Sequence, residues 1–286
     1  MQEDTLNHYL SRIASALERL APQSPEKPDF TREKTHIWHA STKSFHPLKT
    51  VPSIKLNMLI GLESQKQQLL TNTKSFAEGY PANNALLWGA RGMGKSSLIK
   101  AIHQHVLDNT PTLPLILIEI HREDISSLDE CLNQLGDQPQ RFILFCDDLS
   151  FEQTDDRYKS LKTVLEGGLS ERPTNTLFYA TSNQRHLMIA SASSTAKAAH
   201  ETDHRNETIS LSDRFGLWLG FHNCSPEEFQ TMVHTYSQHF QIPLSDDELQ
   251  AKAHEWAMTR GNRSGRVAWQ FIQHLCAEFK IKHERT

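Results

Sequence analysis

The stretch ALLWGARGMGKSSLIK, residues 85–100, decides how this chain is read. Ala85-Leu86-Leu87-Trp88 is a short apolar run with the character of a buried strand. Gly89 to Gly94 is a glycine-rich turn, and Ser97-Leu98-Ile99-Lys100-Ala101-Ile102 opens a helix. Gly89-x4-Gly94-Lys95-Ser96 meets the phosphate-loop pattern in full, between a strand and a helix as its mechanism requires. The glycines let backbone N–H groups face a phosphate, Lys95 reaches the β and γ oxygens, and the Ser96 hydroxyl ligates Mg2+. The expected ligands are therefore ATP and Mg2+. The expected binding residues are Gly89, Ala90, Arg91, Gly92, Met93, Gly94, Lys95, Ser96 and Ser97, with Ile60 and Gly61 from the segment that leads into the preceding helix.

Outward from this stretch, further apolar runs follow at Leu115 to Ile120, Phe142 to Cys146, Leu177 to Ala180 and Leu217 to Phe221, each separated by room for a helical crossover. Five such strands predict an α/β fold, a five-stranded parallel sheet with helices on both faces. After Phe221 the pattern turns helical. Ser225-Pro226-Glu227-Glu228 and Ser245-Asp246-Asp247-Glu248 are capping boxes, Gly261 closes the second helix, and a third runs from about Ser264 to Lys280. The chain thus divides into a nucleotide-binding α/β domain at 55–222 and a small all-helical lid at 223–286. Residues 1–54 come first: an amphipathic helix over 2–20, then an extended, proline-rich connector that Trp38 pins to the body. The polar stretch Ala190 to Thr208 reads as a mobile surface loop.

Four more places carry chemistry. Phe142-Ile143-Leu144-Phe145-Cys146-Asp147-Asp148 is a strand ending in two carboxylates, one for the Mg2+ shell (Asp147) and one for the attacking water (Asp148). Thr176 to Asn183 is another strand, whose terminal amide, Asn183, is placed to orient that water, with Thr181 and Ser182 as second choices. Arg214, just before the fifth strand, is positioned to project from one subunit onto the γ-phosphate of a neighbour, which predicts a homo-oligomer. At the entrance to the third lid helix, Arg266 and, second, Arg263 are candidates for sensing nucleotide from the lid.

Composition narrows the setting. Hydrophobic content of 37% with 22% charged residues is ordinary for a globular chain, and no apolar segment reaches the ~18 residues of a membrane span. No secretory signal is readable, so a cytoplasmic protein is expected. Cys131, Cys146, Cys224 and Cys276 are far apart, which argues against a zinc site or a disulfide framework. The 16 histidines are scattered without ligand spacing. A net charge of −4 gives no general attraction to nucleic-acid phosphates, so a nucleic-acid partner would need a local basic face.

Taken together, these residues resemble AAA+ ATPases. FILFCDDLSF (142–151), LKTVLEGGL (161–169), YATSNQRHL (179–187), SLSDRFGLWLGF (210–221) and RSGRVAWQFI (263–272) are similar to the bacterial domain-of-unknown-function 815 family, over roughly residues 50 to 280. The resemblance implies the AAA+ fold, with Walker A at Gly89 to Ser96, Walker B at Asp147 and Asp148, sensor 1 near Asn183, an arginine finger at Arg214 and sensor 2 near Arg266. It implies no substrate. The paired Asp also resembles bacterial replication initiators, and Gly-x-Arg-x-x-Arg the sensor 2 of protease-associated unfoldases. The reading is therefore an ATPase acting on an unidentified macromolecular partner. Two alternatives stand beside it, an ATP-switched adaptor with little hydrolysis and a DNA-associated helper. Neither a base-reading NKxD motif nor an acceptor lid supports a GTPase or kinase.

Overall fold

The computed structural model describes residues 28–151, 155–166, 173–185, 187 and 213–282, together with 9, 12 and 13. Of the predicted N-terminal helix only Tyr9, Arg12 and Ile13 are described, all helical, and the predicted loop at 190–208 lies outside the described residues.

Among the described residues, seven strands form one sheet. They are β1 (Thr35–His39), β2 (Ser44–Pro47), β3 (Ala85–Gly89), β4 (Leu115–Ile120), β5 (Arg141–Cys146), β6 (Thr176–Ser182) and β7 (Leu217–Phe221). Their order is β2-β1-β4-β5-β6-β3-β7, with every pair parallel except β1 with β2. The α-helices described in full are α1 (Glu63–Ala77), α2 (Lys95–Asn109), α3 (Leu128–Leu135), α4 (Asp156–Glu166), α5 (Pro226–Phe240), α6 (Asp246–Arg260) and α7 (Gly265–Glu278).

The near-continuous apolar strands follow from burial on both faces. Along β5, Ile143 and Phe145 join one core with Leu69 and Phe76 of α1 and Leu98 and Ile102 of α2, while Phe142, Leu144 and Cys146 join a second core with Leu128 and Leu135 of α3 and Leu161 of α4. From β3 the chain crosses to β4, returns through β5 and β6, and then places β7 on the far side of β3. The strand order thus reverses about β3, and a crevice opens at its carboxyl end, where open α/β sheets bind ligands.

The sequence reading expected five strands, and the described residues form seven. The two extra strands come from the segment read as a connector. Thr35 to Trp38 pairs in register with Leu117 to Ile120, and β2 folds back antiparallel on β1. Five prolines between residues 21 and 54 had argued against regular structure there. The pairing is nonetheless sterically open, because β2 is a four-residue edge strand ending at Pro47, where a missing N–H costs nothing in the ladder. Trp38 is fully buried against Phe45, ring centroids 4.8 Å apart, and its indole donates to Ser127 Oγ at 2.8 Å.

Helices α5 to α7 occupy the segment expected to be a lid and pack on one another. Ser225 and Ser245 each close a full capping box, Pro226 sits in the first turn of α5, and Gly261 ends α6 in the left-handed conformation at φ 61°. The buried face of the lid, with Val233, Phe271, Ile272 and Leu275, is continuous with the core over α1 and α2. Among the described residues no helix is long and apolar enough to cross a membrane.

If β1 is an integral strand, Trp38→Ala lowers unfolding free energy by about 3–5 kcal/mol, as truncation of a buried aromatic does. Denaturant titration of the variant against the parent measures it, and a loss within ~0.5 kcal/mol, the surface-residue level, would contradict the packing.

Candidate functional site

The phosphate loop links the end of β3 to the start of α2, and its shape is set by two close approaches. Gly89 has φ 122°, and a Cβ there would stand 2.1 Å from the Phe221 carbonyl oxygen, which instead accepts from Ala90 N at 2.8 Å. Only glycine fits between β3 and β7 at that point. Gly94, at φ 91°, precedes the first residue of α2 in the left-handed region.

Lys95 starts α2 and is buried. Its Nζ donates to Gly89 O and Ala90 O at 2.8 Å each and to Asn183 Oδ1 at 3.1 Å. Burial pushes its pKa down, while Asp147 and Asp148 pull the other way and Arg91 and Arg266 add to the lowering. Ser96 Oγ donates to Asp147 Oδ1 at 2.5 Å. Asp147 also accepts from the Thr181 hydroxyl, and Asn183 Nδ2 donates to Asp148 Oδ1. Asp148 is one of four non-glycine residues with positive φ among the described residues, at 50°; its N–H donates to Thr181 Oγ1 at 2.9 Å. The ends of β3, β5 and β6 therefore meet in one hydrogen-bonded network.

That network floors a cleft of about 710 Å3. Its polar end is bordered by Arg91 to Ser97, Asp147, Asp148, Thr181 and Asn183, and its other walls come from Pro52 to Ile54, Leu59, Ile60 and Leu62, with Met232, Tyr236 and Trp269 of the lid. The lid reaches the loop directly: Arg266 N donates to Gly92 O at 2.9 Å, and a Cβ on Gly92 would lie 2.9 Å from Ser264 Oγ.

Most of the residues singled out in the sequence meet here. Gly89 and Ala90 contribute carbonyls to Lys95, and Arg91, Gly92, Met93, Gly94, Ser96, Ser97, Ile60 and Arg266 border the cleft. Gly61 does not border it; it turns at φ 76° beside Glu228. Arg263 lies off the cleft, near Cys224 and Glu227 at the head of α5. Arg214 is exposed and precedes the amino end of β7, which pairs with the amino end of β3. The loop lies at the opposite, carboxyl end, on the order of 15 Å along the strands, so Arg214 is not part of its own chain's site.

Sequence reasoning missed the apolar walls. Met232 and Tyr236 lie on the buried stripe of α5, where helical spacing cannot distinguish a core position from a cleft wall, and Trp269 is half-buried beside the stripe of α7. Among the described residues no group of three or more His, Cys, Asp or Glu side chains is set to hold a metal, and all four cysteines are free and buried. The Ser96 hydroxyl and Asp147 carboxylate are nonetheless hard oxygen donors of the kind Mg2+ takes alongside phosphates and water.

A family described as a protein of unknown function, DUF815, matches residues 31–279. No curated protein matches the chain. Among solved structures, the ORC1 protein of Aeropyrum pernix in complex with DNA is 12% identical, covering 81% of this chain and 67% of that one at a TM-score of 0.52. The Thermotoga maritima RuvB Holliday junction branch migration motor is 12% identical, covering 81% and 74% at a TM-score of 0.47. Domain III of the Thermotoga maritima replication initiation protein DnaA is 14% identical, covering 82% and 100% at 0.48. At such identities the likeness concerns the fold alone. With a match from residue 31 to 279 and a parallel sheet carrying a complete phosphate loop at its reversal point, the chain belongs to the DUF815 family and has the AAA+ P-loop fold.

Proposed function

We propose that this chain binds Mg2+-ATP in the cleft and hydrolyses it, and that the cycle moves the lid to remodel or regulate a macromolecular partner. The observation that carries the reading is the single network joining Lys95, Ser96, Asp147, Asp148 and Asn183 from three strand ends. In it Lys95 and the loop N–H groups take the phosphates, with Arg91 and Arg266 adding positive charge at the same end. Ser96 and Asp147 hold Mg2+, which when bound neutralises charge on the phosphate oxygens. Asp148 accepts the proton of the attacking water as the new oxygen–phosphorus bond forms and the bond to ADP breaks. The apolar walls from Ile54, Ile60, Tyr236 and Trp269 suit a base without demanding a polar partner.

Two features favour a slow or assembly-dependent reaction. Asp148 is an acid one methylene shorter than glutamate and is held by Asn183, so it must be released before it can take a proton. Arg214 stands at the amino end of the strands, opposite the loop, so an arginine at the γ-phosphate would have to come from a neighbouring protomer of a homo-oligomer. The same features leave room for an ATP-switched adaptor, in which binding positions the lid and turnover is incidental.

Lys95→Ala is expected to weaken ATP binding by at least ~100-fold, the loss of a charge-assisted contact at a buried site. Equilibrium titration with a fluorescent ATP analogue measures it, and an unchanged affinity removes the assignment. Asp148→Asn should bind within a few-fold of the parent yet lose ~100-fold or more in turnover, the contribution of a general base. Phosphate release under single-turnover conditions reads this out; equal rates would leave only the adaptor. For the assembly, parent turnover per protomer should rise with protein concentration, and Arg214→Ala should abolish the rise, with a loss of ~10^3-fold at saturation. A concentration-independent parent rate that the substitution leaves intact rules out the contribution in trans.

A further inference from the structure

We propose that Thr181 is the residue that positions both acids of the site, setting metal affinity through Asp147 and the backbone of the proton acceptor through Asp148. The proposal rests on the Mg2+-ATP reading above and adds to it a residue that acts through the two acids.

The starting point is the mismatch in length between two neighbouring strands. β5 pairs with β6 up to Cys146 opposite Ala180, and then stops, whereas β6 continues to Ser182 on its β3 side, with Thr181 opposite Leu87. Thr181 is therefore the first residue of β6 that faces a chain leaving the ladder, the segment Asp147 to Leu149. It grips that segment at three points. Its carbonyl accepts from Leu149 N at 2.7 Å, its Oγ1 accepts from Asp148 N at 2.9 Å, and its hydroxyl proton goes to Asp147 Oδ1. The direction of the last bond is fixed, because an ionised carboxylate only accepts.

A hydroxyl at this place calls for a reason. Thr181 is 1% exposed and follows Leu177 and Tyr179 on the face covered by α1 and α2, where a β-branched apolar residue would fill the strand equally well. What valine could not do is accept from Asp148 N while donating to Asp147. Asp148 sits at φ 50°, a conformation a non-glycine residue keeps only when its surroundings impose it. Thr181 supplies the shorter of the two bonds that hold the Asp148 N–H, the other running to Asp147 Oδ1 at 3.2 Å, and the same threonine oxygen fixes that carboxylate, which also meets Ser96. Although Thr181 borders the cleft, its hydroxyl has given its only proton to Asp147, so it is not free to orient a water as Asn183 can.

The test compares Thr181→Val, Thr181→Ser and the parent by titrating Mg2+ at fixed nucleotide. The probe is a fluorescent ATP analogue, so that binding is read without hydrolysis, and phosphate release is followed in parallel. Outer-shell partners of a metal ligand change metal affinity by ~10–100-fold. Thr181→Val should raise the half-saturating Mg2+ concentration by about that factor and lower turnover, with analogue binding in excess chelator unchanged; Thr181→Ser should lie within ~3-fold of the parent. A purely structural threonine would lower the melting temperature of the valine variant and leave the Mg2+ titration where the parent has it, which would overturn the proposal. If valine does not fold, Thr181→Ala takes its place in the same titration. A parent that binds no nucleotide refutes the Mg2+-ATP reading itself; a parent that binds while the valine variant titrates normally refutes Thr181 alone.

Discussion

The constraint on which the site depends is the burial of the Lys95 ammonium. A lysine charge removed from water must be met by acceptors, or the group loses its proton. Here two loop carbonyls and the Asn183 amide oxygen meet it, with two carboxylates nearby. Each acceptor has a structural consequence. Turning the Gly89 and Ala90 carbonyls inward fixes the loop at its hinge with β7, where a side chain at Gly89 would strike Phe221. Turning the Asn183 oxygen toward Lys95 points its amide nitrogen at Asp148. A phosphate competing for Lys95 would therefore act on Asp148 through one intervening side chain, a physical link between the proposed occupancy of the cleft and the freedom of that carboxylate.

The lid is coupled to the same loop by a different route. The first turn of α7 has N–H groups with no partner inside the helix, and one of them, Arg266 N, uses the Gly92 carbonyl. Gly92 is tightly hemmed by Ser264 and Arg266, and Gly265 stands close to the same carbonyl. Any change in the loop that turns this carbonyl must move α7 or leave its amide unpaired. Because α7 packs through Phe271 and Leu275 into the core shared with α5 and α1, displacement of its first turn is carried by a rigid helix into the rest of the lid.

What was legible in the sequence was what local chemistry dictates. The phosphate loop, the capping boxes at Ser225 and Ser245 and the acids at the end of β5 all depend on residues within a few positions of one another. So do the five central strands, whose runs are apolar on both faces. What was not legible depends on distant partners. Thr35 to His39 is a strand because β4 offers it an open edge, and nothing among the intervening prolines announces that. Met232, Tyr236 and Trp269 keep helical spacing whether they face a core or a cleft, and only the packing of α5 and α7 decides which. Thr181 was visible as a residue, but its place depends on β6 outrunning β5 by two residues, a matter of tertiary register.

That overrun also bears on why aspartate serves at position 148. A chain leaving the ladder at Asp147 and turning left-handed at the next residue brings the side chain of residue 148 back toward β6, where Asn183 receives it. Aspartate and asparagine enter the left-handed region more readily than longer residues do, because their short polar groups bond locally. A glutamate there would face a larger backbone penalty and would carry its carboxylate past the Asn183 amide. The shorter acid and the left-handed turn are thus one feature: the backbone brings the carboxylate round to Asn183, and the asparagine in turn ties it to Lys95.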